Sequence, residues 1–367
     1  MIDWTQSMQQ TFEYYIVDPA TWKDVKKLDC IISSSITRDS EAETLGSASF
    51  DMIETPESTD LGEVYVRVYA SIVQNGIKQP LVPLGTYLIQ TPSYTFNGHY
   101  KSYSIDAYTP LLELKEKKPP LGYAAGVDTN IMSAVSVIAG SNMRAPVVVT
   151  ESTSSDPVQV LRDAFVAETD ESWLTYLQAL ASRDSYLFKL TPNGSLIFEK
   201  KKKADTSTPI WTYDDGNASI LLPTATYERD LYGIPNVVEV VWSNSGNYYT
   251  ARAVNDDPTS PISTVNRGRE IIERVINPED LGNPTQDMIE QYANNLLESY
   301  STIECTVSYS HGYCPVDIGD CVRINYERAG LVDVKAIVTS QSISCTPGME
   351  VNETATYSIK LWEPKED

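Results

Sequence analysis

Tyr103-Ser104-Ile105-Asp106-Ala107-Tyr108-Thr109-Pro110 has an echo near the C-terminus, Tyr357-Ser358-Ile359-Lys360-Leu361-Trp362-Glu363-Pro364. Tyr, Ser, Ile and Pro recur at the same offsets, and an aromatic stands sixth in both. Upstream of each lies a second matching run, Gly85 to Tyr94 and Val334 to Ile343. The first copy turns on Asn97-Gly98, the second on a longer stretch through Pro347-Gly348 to Asn352. Each copy reads as strand, hairpin, strand, closed by a proline that cannot donate to a further ladder. A repeat constrains architecture before any single motif does. Two similar hairpins at the ends of two β-rich blocks point to a duplicated β-module.

A chain of 367 residues exceeds one ordinary core, so two or three domains are expected. Tyrosine (23) far outnumbers phenylalanine (6), a balance that favours strands over helices. No run approaches the ~20 apolar residues of a membrane-spanning helix. Met1 to Gln10 is polar and carries no apolar signal-peptide core.

The formal charge of -22 argues against binding nucleic acid by neutralising phosphates. Residues 1–113 hold 15 acids and 7 bases, 114–225 hold 13 and 11, and 226–367 hold 22 and 10. The negative charge therefore sits on the two β-blocks. A solvated acidic surface accounts for it without any function. The five cysteines, Cys30, Cys305, Cys314, Cys321 and Cys345, are odd in number and show no C-x-x-C spacing. They read as small apolar strand fillers, neither a disulfide scaffold nor a zinc site. His99 and His311, the only histidines, read as turn or surface residues.

The first block runs to about Leu114. Strands are expected over Thr11–Val17, Cys30–Thr37, Gly46–Ile53 and Val64–Val73. In the third, Ala48, Phe50 and Met52 face away from Ser47, Ser49 and Asp51. In the fourth, Val64, Val66, Val68, Ala70 and Ile72 share one face. Asp39-Ser40-Glu41 and Asn75-Gly76 are turns, and Pro80 to Gly85 breaks the sheet before Thr86–Tyr94. Short strands at close spacing indicate a closed barrel or sandwich.

Lys115 to Pro120 is a charged linker, and the period then changes. Asp128 is placed to cap a helix with Ile131, Met132, Val135 and Ile138 on one side, ended by Gly140. Pro146–Thr150 reads as a buried strand. Asp156-Pro157 opens a second helix with Val160, Leu161, Ala164 and Phe165. Asp170 caps a third, striped by Trp173, Leu174, Leu177 and Leu180. A hairpin follows, Tyr186–Leu190, the turn Thr191-Pro192-Asn193-Gly194, then Ser195–Glu199. Lys200 to Lys203 is the only basic run. Without flanking aromatics or arginines it reads as a solvated loop sooner than a nucleic-acid patch. Ala204 to Ala225 is a connection.

In the last block, Asn236–Trp242 and Tyr248–Val254 form a hairpin turning through Ser243 to Asn247. Asp256 to Arg267 is a loop. Pro284–Ser299 is a helix striped by Met288, Ile289, Tyr292, Leu296 and Leu297. Ile303–Tyr309 returns to period two, Val316 to Asp320 turns into Cys321–Tyr326, and the echoed hairpin closes the chain. The fold class is mainly β with an α+β insert: two similar β-barrels, 1–114 and 226–367, flanking a helix-plus-hairpin domain over 115–225.

No nucleophile elbow, zinc-protease motif, phosphate loop or dinucleotide fingerprint occurs. The acid pairs Asp214-Asp215, Asp256-Asp257 and Glu279-Asp280 all lie in turn-rich segments. No catalytic, cofactor-binding or metal-ligating residue is singled out, and the chain is read as no enzyme.

The order of blocks resembles the baseplate hub proteins of contractile phage tails and related injection devices. Three stretches carry the resemblance. Trp173 to Glu199 is similar to a middle helix running into a hairpin, here Tyr186-Leu187-Phe188 and Pro192-Asn193-Gly194. Pro315-Val316-Asp317-Ile318-Gly319-Asp320-Cys321-Val322 resembles that family's lead into a late strand. Gly85-Thr86-Tyr87-Leu88-Ile89 resembles a strand of its first barrel. The resemblance implies a homotrimer in which two barrels per chain make a pseudo-sixfold ring, matching a hexameric tail tube on one side and a trimeric spike on the other. It implies tube, central spike and tape-measure proteins as partners, a virion baseplate location after assembly in the host cytoplasm, and no cofactor. A repelling acidic lumen would keep DNA from sticking. The competing classes are a β-rich carbohydrate-binding or adhesin module and a polysaccharide-degrading enzyme, which needs two carboxylates across a cleft.

Overall fold

In the computed structural model, the structure describes residues 2–55, 62–149, 159–244, 246–278, 281–282 and 284–364. Eight strands come first: Gln9–Val17 (β1), Asp24–Leu28 (β2), Ile31–Asp39 (β3), Gly46–Ile53 (β4), Tyr65–Gln74 (β5), Ile77–Lys78 (β6), Val82–Phe96 (β7) and Lys101–Tyr108 (β8). The middle block follows with Leu112–Glu116 (α1), Ala124–Ala125 (β9), Ile131–Asn142 (α2), Phe165–Val166 (β10), Trp173–Ser182 (α3), Tyr186–Leu190 (β11) and Leu196–Lys200 (β12). Then come Trp211–Asp214 (β13), Leu221–Arg229 (β14), Val237–Ser243 (β15), Tyr248–Val254 (β16), Thr264–Arg267 (α4), Ile272–Ile276 (β17) and Gln286–Tyr300 (α5). Thr302–Gly312 (β18), Cys321–Tyr326 (β19), Leu331–Ser344 (β20) and Glu350–Lys360 (β21) end the chain. The chain is mainly β with a small helical insert, as its composition indicates.

Two compact units form, one from Met1–Ala225 with Ser308–Ala355, the other from Thr226–Val307 with Thr356–Asp367. In the first, the sheet order runs β21-β20-β3-β4-β8-β7-β5-β1-β2. The expected alternation sets its core: Ala48, Phe50 and Met52 from β4, and Val66, Val68, Ala70 and Ile72 from β5, are buried together. Ile343, Cys345, Met349 and Val351, from the chain's last hairpin, close the same core. A residue 300 positions downstream thus completes a cluster begun by the first block, because burying the open face of the early sheet removes more apolar area from water than either segment could alone.

Beside this sheet, α2 and α3 carry the middle block. The expected stripe on α3 is buried at Trp173, Leu174, Leu177 and Leu180. Tyr123, Trp173 and Tyr176 pack edge to face around it, and the Phe165 ring lies tilted against Tyr176. The expected caps are displaced by two residues. Ser172, not Asp170, accepts from Thr175 N, and Asn130, not Asp128, accepts from Ser133 N. Asp128 has φ 62°, so its backbone is committed to the turn before the helix. Gly140 lies inside α2, which Asn142 ends.

Other expectations are corrected. The start of the helix expected at Asp156-Pro157 lies outside the described residues. Its apolar positions are not helical: Val160 bridges Asn130, and Phe165 pairs with Ala125. Spacing of three and four is shared by helices and by extended chain with one inward residue per bend, here Leu161. Pro146–Thr150 is no buried strand. Val147 makes one bridge to Leu196, Val148 and Val149 are exposed, and Thr150 lies outside the described residues. Pro80 to Gly85 does not interrupt the sheet. Pro83 pairs with Tyr69 inside β7, and a bulge absorbs the irregularity. The 204–225 connection contains β13, which pairs in parallel with β19 over Trp211↔Val322 to Asp214↔Asn325. The 256–267 loop contains the one-turn α4.

The second unit is a three-stranded sheet, β16-β15-β17, under α5. Ile289, Ala293 and Leu297 are buried against Val238, Val240, Trp242, Ala253 and Trp362. Of the expected stripe, Met288 is exposed, while Tyr292 and Leu296 line the edge of that core.

Candidate functional site: a buried polar joint

Besides its ladder with β21, β20 belongs to two others. Leu331 to Ile337 pairs antiparallel with β19, and Ser340 to Ser344 pairs antiparallel with β3. The partner changes at Val338 and Thr339, whose backbone groups bond Gly319, Asp320 and Ser40. Where a strand leaves one neighbour for another, side chains must fill the gap, and here they are polar and charged.

Arg38, on β3, is buried at this point. Its Nη1 donates to Asp317 Oδ1 at 3.2 Å and to Gln341 Oε1 at 3.0 Å, and its Nη2 donates to Leu84 O at 2.7 Å. Gln341 Nε2 donates to Val316 O (3.0 Å) and to Glu353 Oε2 (2.6 Å). Glu353 is 1% exposed and also accepts from the Tyr309 hydroxyl. His311 Nε2 lies 3.4 Å from Glu353 Oε2 and 3.2 Å from the Tyr213 hydroxyl, and its Nδ1 lies 2.7 Å from Gly312 O. The Tyr213 hydroxyl also reaches Cys314 Sγ at 3.3 Å.

Every charge in this chain of contacts has a partner, the condition under which buried ions are tolerated. Burial works to lower the pKa of Arg38, yet Asp317, followed by Tyr313 and Tyr87, holds it above the ordinary guanidinium value. Burial, reinforced by Glu353, pushes Tyr213 and Tyr309 well above the usual phenol range. Burial also pushes the Cys314 thiol and the Tyr313 phenol each up to about 12. These groups are held protonated, the opposite of an activated nucleophile. The adjoining cavity, about 40 Å³ between Arg38, Asp317, Thr86, Thr109 and Gly194, has room for a few waters at most. The arrangement positions strands.

Three further acceptors, each meeting two donors, tie the middle block to the same sheet. Trp22 Nε1 donates to Asn193 O at 2.8 Å, and Arg67 Nη2 donates to the same oxygen at 3.1 Å. Lys189 Nζ meets Asp320 Oδ1 at 3.0 Å, and Lys202 reaches it at 3.4 Å. Glu113 accepts from Tyr65 and from Arg144. The basic run therefore spends Lys202 on an ion pair within the chain, and Lys200 lies over the Tyr186 ring.

His311 corrects the sequence reading: it is fully buried, whereas His99 is exposed in its turn. The signal was present, since Ile303, Cys305, Val307, Tyr309, His311 and Tyr313 alternate inward without a break. All five cysteines are buried and none forms a disulfide, as expected of fillers. The acids of these pairs make contacts within the chain. Asp214 Oδ1 accepts from Gly216 N, Asp215 pairs with Arg328, and Asp257 Oδ1 accepts from Thr259 N. Glu279-Asp280 lies outside the described residues. Among the described residues, no group of three His, Cys, Asp or Glu is placed to hold a metal, and no helix is long and apolar enough to cross a membrane.

This fold is similar to those of solved phage tail proteins and of a chain in a type VI secretion VgrG complex. The sequence itself matches no protein-family profile and no curated protein. The tail protein from Neisseria meningitidis MC58 aligns at TM-score 0.58 and 13% identity, covering 94% of this chain and 96% of that one. The 43 kDa tail protein of prophage MuSo2 from Shewanella oneidensis aligns at TM-score 0.60 and 13% identity, covering 94% and 98%. A chain of the Francisella PdpA–VgrG complex aligns at TM-score 0.56 and 10% identity over 99% of this chain and 60% of its own length.

Proposed function

We propose that the chain is a structural baseplate hub protein of a contractile tail. Three copies form a pseudo-sixfold ring that joins a hexameric tail tube to a trimeric central spike and surrounds the channel for DNA or the tape-measure protein. One observation carries the reading: a ladder plan that occurs twice. In β5, β7 and β8, the long middle strand β7 pairs with β5 from earlier in the chain and with β8 after it. In β19, β20 and β21, the long middle strand does the same. The echoed runs, Gly85 to Tyr94 and Val334 to Ile343, both fall on that long middle strand. On this reading the blocks 1–114 and 226–367 are the paired modules, and 115–225 is the part freed from the sixfold rule.

The buried joint suits such a part, since a ring under load needs strands that cannot slide. The role is structural rather than enzymatic, in a virion tail baseplate assembled in the host cytoplasm. The acidic surface leaves duplex DNA unbound in the channel. Sedimentation of the chain with and without tube and spike proteins, followed by electron cryomicroscopy of the assembled tail, tests it. A threefold density around the channel is expected. A monomer that binds glycans and has no place in a tail would overturn it in favour of the carbohydrate-binding class.

A further inference from the structure

The outer face of the long sheet is built from short polar side chains. Pairing of β20, β3 and β4 sets Ser342, Thr37 and Ser47 in one row. Ser344, Ser35 and Ser49 form the next, with Asp106 of β8 at its end. Asp51 joins Ser33 to Ser104 in a third. Ser35, Thr37, Ser104 and Ser342 are exposed. The face runs on into β21 and β18. Gln341 and Glu353 meet on the inner side, so their neighbours Ser342 and Asn352 point outward together. Ser310 Oγ lies 2.5 Å from Asn352 Oδ1, and Ser308 Oγ lies 3.1 Å from Thr354 Oγ1. The order β18-β21-β20-β3-β4-β8 makes six adjacent strands, and at about 4.8 Å between neighbours the face is about 24 Å wide.

Among the described residues, no outward position of β3, β4, β8, 308–312, 340–344 or 350–355 holds Lys or Arg, although the chain has 28. The same unit shows what a solvated sheet face ordinarily carries. On β1, β2 and β6, Glu13 pairs with Lys27 and with Lys78. The hydroxyl face has no base with which to form such pairs. It also lacks what holds a partner. Phosphates are gripped by Lys and Arg, nucleobases by aromatic rings, and protein partners by aromatic, Met and Arg side chains at the centre of a patch. The margins of the face are Ile53, 40% exposed, and Tyr108, which packs on the Val17, Tyr65, Leu88 and Leu112 cluster. Asp51 and Asp106 add exposed negative charge, which repels phosphate.

We infer that this hydroxyl face is the surface past which duplex DNA travels without being held. Around moving DNA every gripped phosphate is a brake, because each cation that contacts one releases counterions and adds affinity. A base-free face of short side chains has none to apply. It is broader than one extended polypeptide needs, and its charge opposes phosphate in particular. Its strands come from both ends of the chain, β3, β4 and β8 from 1–114 and β18, β20 and β21 from 226–367, so both paired modules contribute to it. The inference deepens the hub reading and rests on it: the passive channel wall is one neutral face of the sheet, not the acidity of the chain as a whole.

The test is thiol accessibility in purified tails. Ser35→Cys and Ser342→Cys sit at exposed strand positions, and the five native cysteines are buried. In the free chain both variants are expected to take a small maleimide and also a maleimide carrying a polymer too wide for the channel. In the tail they are expected to take the small reagent alone. Labelling by both reagents puts the face on the outside, and labelling by neither puts it in a protein interface. Either result overturns the inference and leaves the hub reading standing, whereas absence of the chain from the tail overturns both. A second arm reads the DNA. Ser35→Arg with Ser342→Arg adds two cations per chain and is expected to slow DNA ejection at least about tenfold in low salt, with the parent rate recovered as salt rises. Ser35→Asn with Ser342→Asn is expected to eject as the parent does. An Arg pair that ejects at the parent rate in low salt overturns the inference. Slowing that salt does not relieve assigns the face to a passing polypeptide and overturns it too.

Discussion

Replacing Arg38 by Met keeps the aliphatic stem and deletes the charge at the centre of the joint. The guanidinium makes three hydrogen bonds, to Asp317, Gln341 and the Leu84 carbonyl, while almost enclosed by protein. Without it, Asp317 is left as a largely buried carboxylate lacking its counter-charge, 18% exposed at the side chain. Removing one partner of such a pair costs about 3–5 kcal/mol, because the survivor's desolvation is no longer offset. Asp317 keeps its bond from Ile318 N, and Gln341 keeps two donations of its own, which places the expectation near the lower end, about 3 kcal/mol. Asp317→Asn added to Arg38→Met removes the orphan charge and is expected to restore about 1–2 kcal/mol, a coupling within the usual range for contacting residues. Because the chain forms two units, a single global unfolding curve is a poor readout. Amide exchange followed by mass spectrometry reports each strand separately. Peptides covering β3 and the second half of β20 should lose protection in Arg38→Met, while peptides of β15 and β16 stay as they were. Protection in β3 and β20 altered by less than about 0.5 kcal/mol would refute the claim that this network holds the strand exchange together.

Three other outcomes are expected. Burial alone would raise the pKa of Glu13, but Tyr15, Lys27 and Lys78 together hold it at about 2. A depressed folded-state pKa contributes stability above the unfolded value and loses it as pH falls, so acid titration from pH 5 to pH 2 should cost about 1–2 kcal/mol less in Glu13→Gln, read at fixed ionic strength from the unfolding transition of the first unit. Gly194 has φ 80°, and a Cβ there would stand 2.7 Å from Thr86 Cβ; Gly194→Ala should destabilise the docked β11–β12 turn by about 1–3 kcal/mol, seen as faster exchange in β11 and β12. All five thiols are buried, with Cys314 at about 12 and Cys345 at about 11, so iodoacetamide at pH 8 should label the native chain slowly and all five positions after denaturation; rapid native labelling would show that the cores open readily.

Local periodicity determined much of this protein. The inward residues of β4 and β5, the stripe on α3, the Thr191–Gly194 turn and the α5 helix were legible because each depends on neighbours within a few positions. The echo between Gly85–Tyr94 and Val334–Ile343 was legible too, and it marked the two longest strands. What the sequence could not show was partnership at long range. β13 looked like a connection because its ladder partner lies some 110 residues on. His311 lies on the inward face that the alternation from Ile303 to Tyr313 marks, but its partners Glu353 and Tyr213 come from strands that no local pattern brings to it. Arg38, Asp317, Gln341 and Glu353 carry no shared motif, and they became a site only when β20 changed ladders between them. Sequence fixes which face of each strand is apolar, since that is set by side chains two apart. Tertiary structure decides which strand covers that face and where a buried charge finds its counter-charge, since both depend on surfaces hundreds of residues apart.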